Sequence, residues 1–218
     1  MGKAHHSYRR AYQRTLDCIS PLATESVKLS SLNRRVLAEK LRARVDAPSA
    51  DVSLKDGYAI QSKDIHLASP NNPVRLDLTG SVAAGGVYEG EVKSGTAVRI
   101  LSGAPLPPGA QAVVAEEFTR LEGRQVIVTA DAQPGRNVLP QGSDFSKGER
   151  LATAGGPLQP AQIGLIAAAG YAKVLVYRRP QIAIIATGDE VVAPGTRLQN
   201  GKLFASNLVT LAAWCSHY

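Results

Sequence analysis

Several short stretches of the sequence carry side chains capable of acid, metal or oxyanion chemistry, each beside a glycine. In Ser53-Leu54-Lys55-Asp56-Gly57-Tyr58-Ala59 a carboxylate stands directly before a glycine that permits a tight turn. In Arg99-Ile100-Leu101-Ser102-Gly103-Ala104-Pro105 an apolar run enters a Ser-Gly loop, whose hydroxyl and exposed backbone N–H groups can hold an oxyanion. Pro134-Gly135-Arg136-Asn137-Val138 and Gly142-Ser143-Asp144 are glycine-anchored turns that present an amide and a carboxylate. Thr187-Gly188-Asp189-Glu190 ends a strongly apolar run, the place where open α/β sheets bind ligands. Paired acids beside a hydroxyl there suit Mg²⁺, which takes a few oxygen ligands and keeps several waters. Taken singly, an Asp-Gly pair or a Ser-Gly loop is more often a plain turn, and only the last stretch favours function by its position.

The elements that must position these groups can be read from periodicity. Tyr8, Tyr12, Leu16 and Ile19 fall on one helical face, ended by Pro21. Ser26 to Leu29 alternates like a short strand. Leu32, Val36, Leu37 and Leu41 share a face and predict a second helix, capped by Ser30 or Ser31 and closed before Pro48. From Asp46 to about Arg150 short apolar runs (74–78, 97–101, 112–115, 125–129) alternate with Gly and Pro clusters, which predicts a β-rich middle. Helix is expected again over 160–170, with Gly170 suited to a left-handed cap, then strand over 173–177. The run Gln181 to Ala186, apolar almost throughout, predicts a strand buried on both faces of a parallel sheet. Ser206 to His217 predicts its first crossover helix.

With 44% apolar residues the chain should fold. It has neither a membrane-length apolar segment nor a signal-peptide core, which points to the cytoplasm. Cys18 and Cys215 stand far apart with no CxxC partner, so they read as ordinary thiols. The formal charge of +7 lies entirely in residues 1–44, which hold ten Lys or Arg against three acids. Those cations interleave with apolar residues, as on the solvated face of an amphipathic helix. A basic nucleic-acid-binding module is the alternative, disfavoured because no helix-turn-helix, RNP-type aromatic pair or GXXG clamp accompanies the charge. Phosphate-loop, dinucleotide, nucleophile-elbow and HExxH motifs are absent, and His5 and His6, like His66 and His217, sit in no motif.

In order and spacing, Val36-Leu37-Ala38-Glu39, Val45-Asp46-Ala47-Pro48, Asp56-Gly57-Tyr58-Ala59, Ala83-Ala84-Gly85, Val98-Arg99-Ile100 through Gly103-Ala104-Pro105, Ala112-Val113-Val114, Gly135-Arg136-Asn137-Val138, Thr187-Gly188-Asp189-Glu190 and Ser206-Asn207 together resemble the molybdopterin molybdenumtransferases, the MoeA and gephyrin E-domain family. The resemblance runs from about Leu16 to Leu211 and is far more specific than any one piece. It implies an α+β, elongated, β-rich region over 1–177, with N-terminal helices and a lobe inserted at about 50–130, followed over 178–218 by the start of an α/β molybdopterin-binding domain.

The activity it implies is insertion of molybdate into adenylylated molybdopterin with release of AMP, dependent on Mg²⁺. The enzyme would work as a homodimer, fed by the pathway enzyme that makes the adenylylated substrate. Asp56 and Ser102 match the family's catalytic acid and hydroxyl. Thr187, Gly188, Asp189, Asn137 and Asp144 would bind the substrate, and Asp56, Asp189 and Glu190 the metal. Two departures stand out: Lys55 puts a cation next to Asp56, where it could pair with the acid, and Ser143 replaces a frequent Glu. The family's later pterin loop, molybdate-binding cations and last domain are absent from these 218 residues, so this chain alone is expected to be inactive. A non-catalytic partner that dimerises with a complete homologue is the competing reading.

Overall fold

The structure is a computed structural model that describes residues 7–217; His5 and His6 lie outside them. It is a mixed α+β fold rich in strands. In chain order the elements begin with helix α1 (Tyr8–Asp17), then strands β1 (Thr24–Lys28), β2 (Leu41–Arg42), β3 (Val52–Ser53), β4 (Gly57–Ile60), β5 (Val74–Val82), β6 (Thr96–Ile100) and β7 (Ala112–Ala115). They continue with β8 (Thr119–Glu122), β9 (Gln125–Val128), β10 (Val138–Leu139), β11 (Arg150–Ala152), α2 (Pro160–Ala168), β12 (Lys173–Tyr177), β13 (Val191–Val192), β14 (Leu203–Phe204) and α3 (Ser206–His217). No helix among the described residues is long and apolar enough to cross a membrane.

Two compact units divide the chain. The sheet unit comprises Leu41–Ala152 and Leu165–Tyr171. Its centre is a six-stranded sheet in the order β7-β4-β6-β5-β9-β8, antiparallel except where β5 runs parallel to β6. Period-two alternation sends side chains to opposite faces, and here both faces are covered. Tyr58, Ile60, Leu76, Ala97, Val114, Val126 and Val128 pack on one side, and Ala59, Val82, Val98, Ile100 and Val113 on the other. Fully buried residues such as Ile60, Leu76 and Ile100 each contribute about 1.5–3 kcal/mol from removal of apolar surface from water. A smaller cluster of Ala43, Phe145 and Ala169 lies in the same unit, where the Arg44 guanidinium stacks 3.8 Å from the Tyr171 ring centre.

The terminal unit gathers the stretches before Leu41 and after Tyr171 with Thr153–Gly164. Its β1 and β12 pair antiparallel from Thr24↔Tyr177 to Lys28↔Lys173. Arg35, almost wholly buried, bonds Glu25 at 2.5 Å and the Tyr177 carbonyl at 2.8 Å.

The structure differs from the periodicity in two places. Residues 32–41 form no α-helix: a turn at 33–34, with Arg34 at φ +59, leads into a stretch where Val36 and Leu37 bridge to Pro157 and Val176. Leu32, Leu37 and Leu41 are buried as the helical stripe foretold, but the Leu37 N–H donates to the distant Gly156 carbonyl and Leu41 pairs with Ala152. Residues 181–186 form no strand, and Ile185 is 82% exposed. A parallel strand needs neighbours to take its N–H and C=O groups, and no described segment pairs with this one. Thus β13 and β14, parallel to each other, are the only paired strands beyond Tyr177 among the described residues. The strands expected in the middle are present, as are helix α2, with Gly170 at φ +90 after it, strand β12 and helix α3.

Candidate functional site

Sheet register brings Asp56 and Ser102 together. Strands β4 and β6 are antiparallel with Gly57 opposite Ile100, so the residue before β4 and the residues after β6 emerge at the same end. There the Ser102 N–H donates to Asp56 Oδ1 at 2.7 Å. The Glu116 N–H donates to the Asp56 carbonyl at 2.9 Å, fixing the backbone as Ser102 fixes the side chain. Both side chains are exposed. Asp56 Oδ2 and Ser102 Oγ make no hydrogen bond among the described residues, so an oxygen of each is left for a ligand.

Gly57 does not serve as the expected turn residue. It opens a buried strand, and a Cβ on it would lie 1.9 Å from the Val114 carbonyl oxygen; close approach of β7 demands the glycine, not a special dihedral. Gly103, at φ +79, is the true turn glycine of the pair of motifs.

Three loops meet at β3. The Gly103 N–H donates to the Ser53 carbonyl at 2.8 Å, and the Ser53 N–H to the Ala104 carbonyl at 2.9 Å. The Leu54 N–H donates to the Asn137 carbonyl at 2.9 Å, and β3 pairs with β10 directly after Asn137. Asn137 holds φ +56, and its Nδ2 donates to the Val113 carbonyl at 2.8 Å. Its amide nitrogen is thereby committed to the edge of β7. The buried Ser53 hydroxyl donates to the Lys55 carbonyl at 2.6 Å and shapes the bend that presents Asp56. Lys55 itself forms no ion pair with Asp56; the ion pairs among the described residues are Arg35–Glu25, Arg75–Glu122, Arg99–Glu116 and Arg120–Glu122.

Asp144 is exposed on another loop of the same unit, its N–H donating to the Ala47 carbonyl at 2.9 Å. That loop is stapled by acids the motif reading left without a role. Asp46 accepts from the Lys147 N–H at 2.7 Å and from Gln141 Nε2 at 2.8 Å, and Asp51 accepts from the Gln141 N–H at 2.8 Å. The Lys147 amide first, then the Gln141 side chain, hold the Asp46 carboxyl below its ordinary 3.8. The motifs carry Ser53 and Asp46 in Ser53-Leu54-Lys55-Asp56 and Val45-Asp46-Ala47-Pro48 without their positioning roles, and no motif marks Asp51 or Glu116.

Thr187, Gly188, Asp189 and Glu190 belong to the terminal unit, all exposed. Lys202 Nζ donates to the Asp189 carbonyl at 2.5 Å. Gly188, at φ +126, leaves room for the Glu190 carboxylate, whose oxygens lie 2.5 and 2.6 Å from where a Cβ would stand. No group of three or more His, Cys, Asp or Glu residues among those described could hold a metal by itself. A magnesium site of one or two carboxylates completed by water and substrate phosphate needs no such cage, and Asp56, with one oxygen anchored and one open, has the donor chemistry for it.

A family model described as the MoeA N-terminal region (domain I and II) matches residues 6–170. The molybdopterin molybdenumtransferase of a Nostoc species is 37% identical over 190 residues, covering 87% of this chain and 44% of the relative. That of Bacillus subtilis is 39% identical over 188 residues, covering 84% and 44%. A crystal structure of the molybdopterin biosynthesis MoeA protein from Pyrococcus horikoshii superposes with a TM-score of 0.86 at 34% identity, covering 96% of this chain and 56% of that one. The chain thus spans about half the length of the relatives it matches.

Proposed function

The chain belongs to the MoeA N-terminal family, and from that premise we propose that it supplies the acid-and-hydroxyl part of an enzyme inserting molybdate into adenylylated molybdopterin, with release of AMP, in molybdenum cofactor biosynthesis. The observation that carries this reading is the 2.7 Å hydrogen bond from the Ser102 amide to Asp56, which locks a carboxylate and a hydroxyl side by side at one end of the sheet.

Such preorganisation is what cleavage of a pyrophosphate link asks of its enzyme. Polar groups fixed before the reaction need not reorganise as charge develops. Asp56 is anchored through backbone and side chain and keeps Oδ2 open. The Ser102 hydroxyl donates to an anionic oxygen of the substrate. Magnesium, when bound, would neutralise phosphate charge beside Asp56, with Asp189 and Glu190 as further acids for it. We assign Asn137, Asp144, Thr187 and Gly188 to substrate contacts. We take the working form to be a homodimer supplied by the enzyme that adenylylates molybdopterin. This chain by itself is proposed to be inactive, because a pyrophosphate link and a molybdate dianion need more cationic and N–H donors than these loops present.

The test is AMP release from adenylylated molybdopterin and molybdate, measured with a complete relative carrying asparagine at the position matching Asp56. A fall in kcat on the order of a hundredfold, with substrate affinity little changed, is expected. An unaltered kcat would remove Asp56 from the chemistry.

A further inference from the structure

The Arg99–Glu116 ion pair joins two strands that are not neighbours. In the sheet order β7-β4-β6, Arg99 lies on β6 and Glu116 directly follows β7, so the bond from Arg99 Nη2 to Glu116 Oε1, at 3.0 Å, passes over β4. Register fixes where it crosses. Arg99 stands opposite Tyr58 on one side and Val114 on the other, which puts Glu116, two residues on, level with Asp56. The Glu116 N–H already donates to the Asp56 carbonyl at 2.9 Å. Side chains alternate along a strand, and Tyr58, Ala97 and Val114 pack on one face of the sheet. Asp56, Arg99 and Glu116 each stand two residues from one of these three, in phase with that face. The guanidinium therefore spans β4 beside the point where Asp56 emerges.

The Arg99 and Glu116 side chains are 42% and 52% exposed, and an ion pair so open to water adds little stability. What it does is orient. A guanidinium carries five N–H donors, and the one spent on Glu116 holds the group in place while most of its fork stays open. Planar guanidinium groups bind phosphate oxygens through that fork. Asp56 offers a carboxylate oxygen and Ser102 a hydroxyl, and neither brings positive charge. Cleavage of a phosphoanhydride gathers negative charge on the phosphate, where a fixed cation is worth most. We propose that Arg99 binds an anionic oxygen of the substrate's pyrophosphate link beside Asp56 and Ser102, with Glu116 as the positioning residue that aims it. The inference rests on the reading of Asp56 and Ser102 as the acid-and-hydroxyl part of the site and adds the cation to it.

The test uses a complete relative with aspartate, arginine and glutamate at the positions matching Asp56, Arg99 and Glu116, and measures AMP release over a range of adenylylated molybdopterin concentrations. Arg99→Gln should raise KM about tenfold, the loss expected of a charge-assisted hydrogen bond, with kcat changed far less. Glu116→Gln breaks the same ion pair but keeps both the arginine and the backbone N–H on Asp56, so it measures the structural share, about threefold in KM at most. Arg99→Lys keeps the charge and loses the fork, and its KM should fall between the two. Equal rises in Arg99→Gln and Glu116→Gln would make the pair a strut and overturn the proposal, as would a wild-type KM in Arg99→Gln. Should Arg99→Gln fail to fold, a KM in Arg99→Lys no higher than in Glu116→Gln overturns it instead. Asp56→Asn is run in parallel. A fall in its kcat beside a wild-type KM in Arg99→Gln rejects Arg99 alone, whereas an unaltered kcat in Asp56→Asn rejects the underlying reading and the assignment of Arg99 with it.

Discussion

A methyl group added at Gly57 would sit 1.9 Å from the Val114 carbonyl oxygen, an atom fixed in strand β7 by its own sheet bonds. Neither side can yield without parting β4 from β7, so Gly57→Ala should cost on the order of 3 kcal/mol, read as a lower urea midpoint. Gly103→Ala meets only the Ala84 methyl at 3.7 Å. Its cost comes instead from the φ of +79, about 1–2 kcal/mol. Because Gly103 follows the Ser102 amide that anchors Asp56, that variant should also lower activity in a complete relative when Gly57→Ala is compared at matched stability. At Asn137, glycine should be tolerated better than alanine in a thermal melt. Both lose the bond to the Val113 carbonyl, and alanine alone must also hold φ +56. Asp56, Ser102 and Gly103 could be picked from the sequence by type; the reason for Gly57 could not, since the atom that forbids a side chain lies 57 residues further along the chain.

Strands β4 and β6 carry the site because their antiparallel register aligns their ends, and the loop bearing Asp144 depends on a different device. Its backbone is tied to the 46–51 segment by two carboxylates. The Asp46 carboxyl is held below 3.8 by donors from Lys147 and Gln141. A lowered carboxyl stabilises the fold when ionised, so its contribution is complete above 3.8 and is lost as pH falls through the still lower folded value. Asp46→Ala should therefore lower the melting temperature at neutral pH, with the gap to wild type narrowing as the solution is acidified below 3.8. A gap that stays constant into the acid range would show that the carboxylate charge plays no part. Elements with strong alternation or clear punctuation were legible: β7 and β12 begin and end where the apolar runs do, and α2 stops ahead of Gly170. The 32–41 segment was not, because the same leucine spacing that buries one face of a helix is also buried by a turn and isolated bridges whose partners, Pro157 and Val176, are invisible to local periodicity.

For the whole molecule, the two units differ in how completely they cover their apolar surface. The sheet unit packs both faces of its sheet, whereas in the terminal unit Ile182, Ile185, Leu203, Val209, Leu211 and Trp214 are all half or more exposed. Exposed apolar area on this scale favours association, so the chain should show concentration-dependent self-association in sedimentation velocity that persists in high salt. Lysine at Ile185 and Leu211 together should suppress it, and a monomer at all concentrations in the unsubstituted chain would refute the expectation. The sequence alone determined the family, the β-rich middle, the place of the basic excess and the residue types able to do chemistry, because composition, alternation and glycine-bounded motifs are local properties. Tertiary structure alone decided that Asp56 meets the Ser102 amide, that β3 gathers three loops, that Gly57 is a packing glycine and that residues 181–186 pair with no described segment. Each of those outcomes depends on which distant backbone takes a given hydrogen bond, and a pattern along the chain fixes the face a residue shows without fixing the partner it finds.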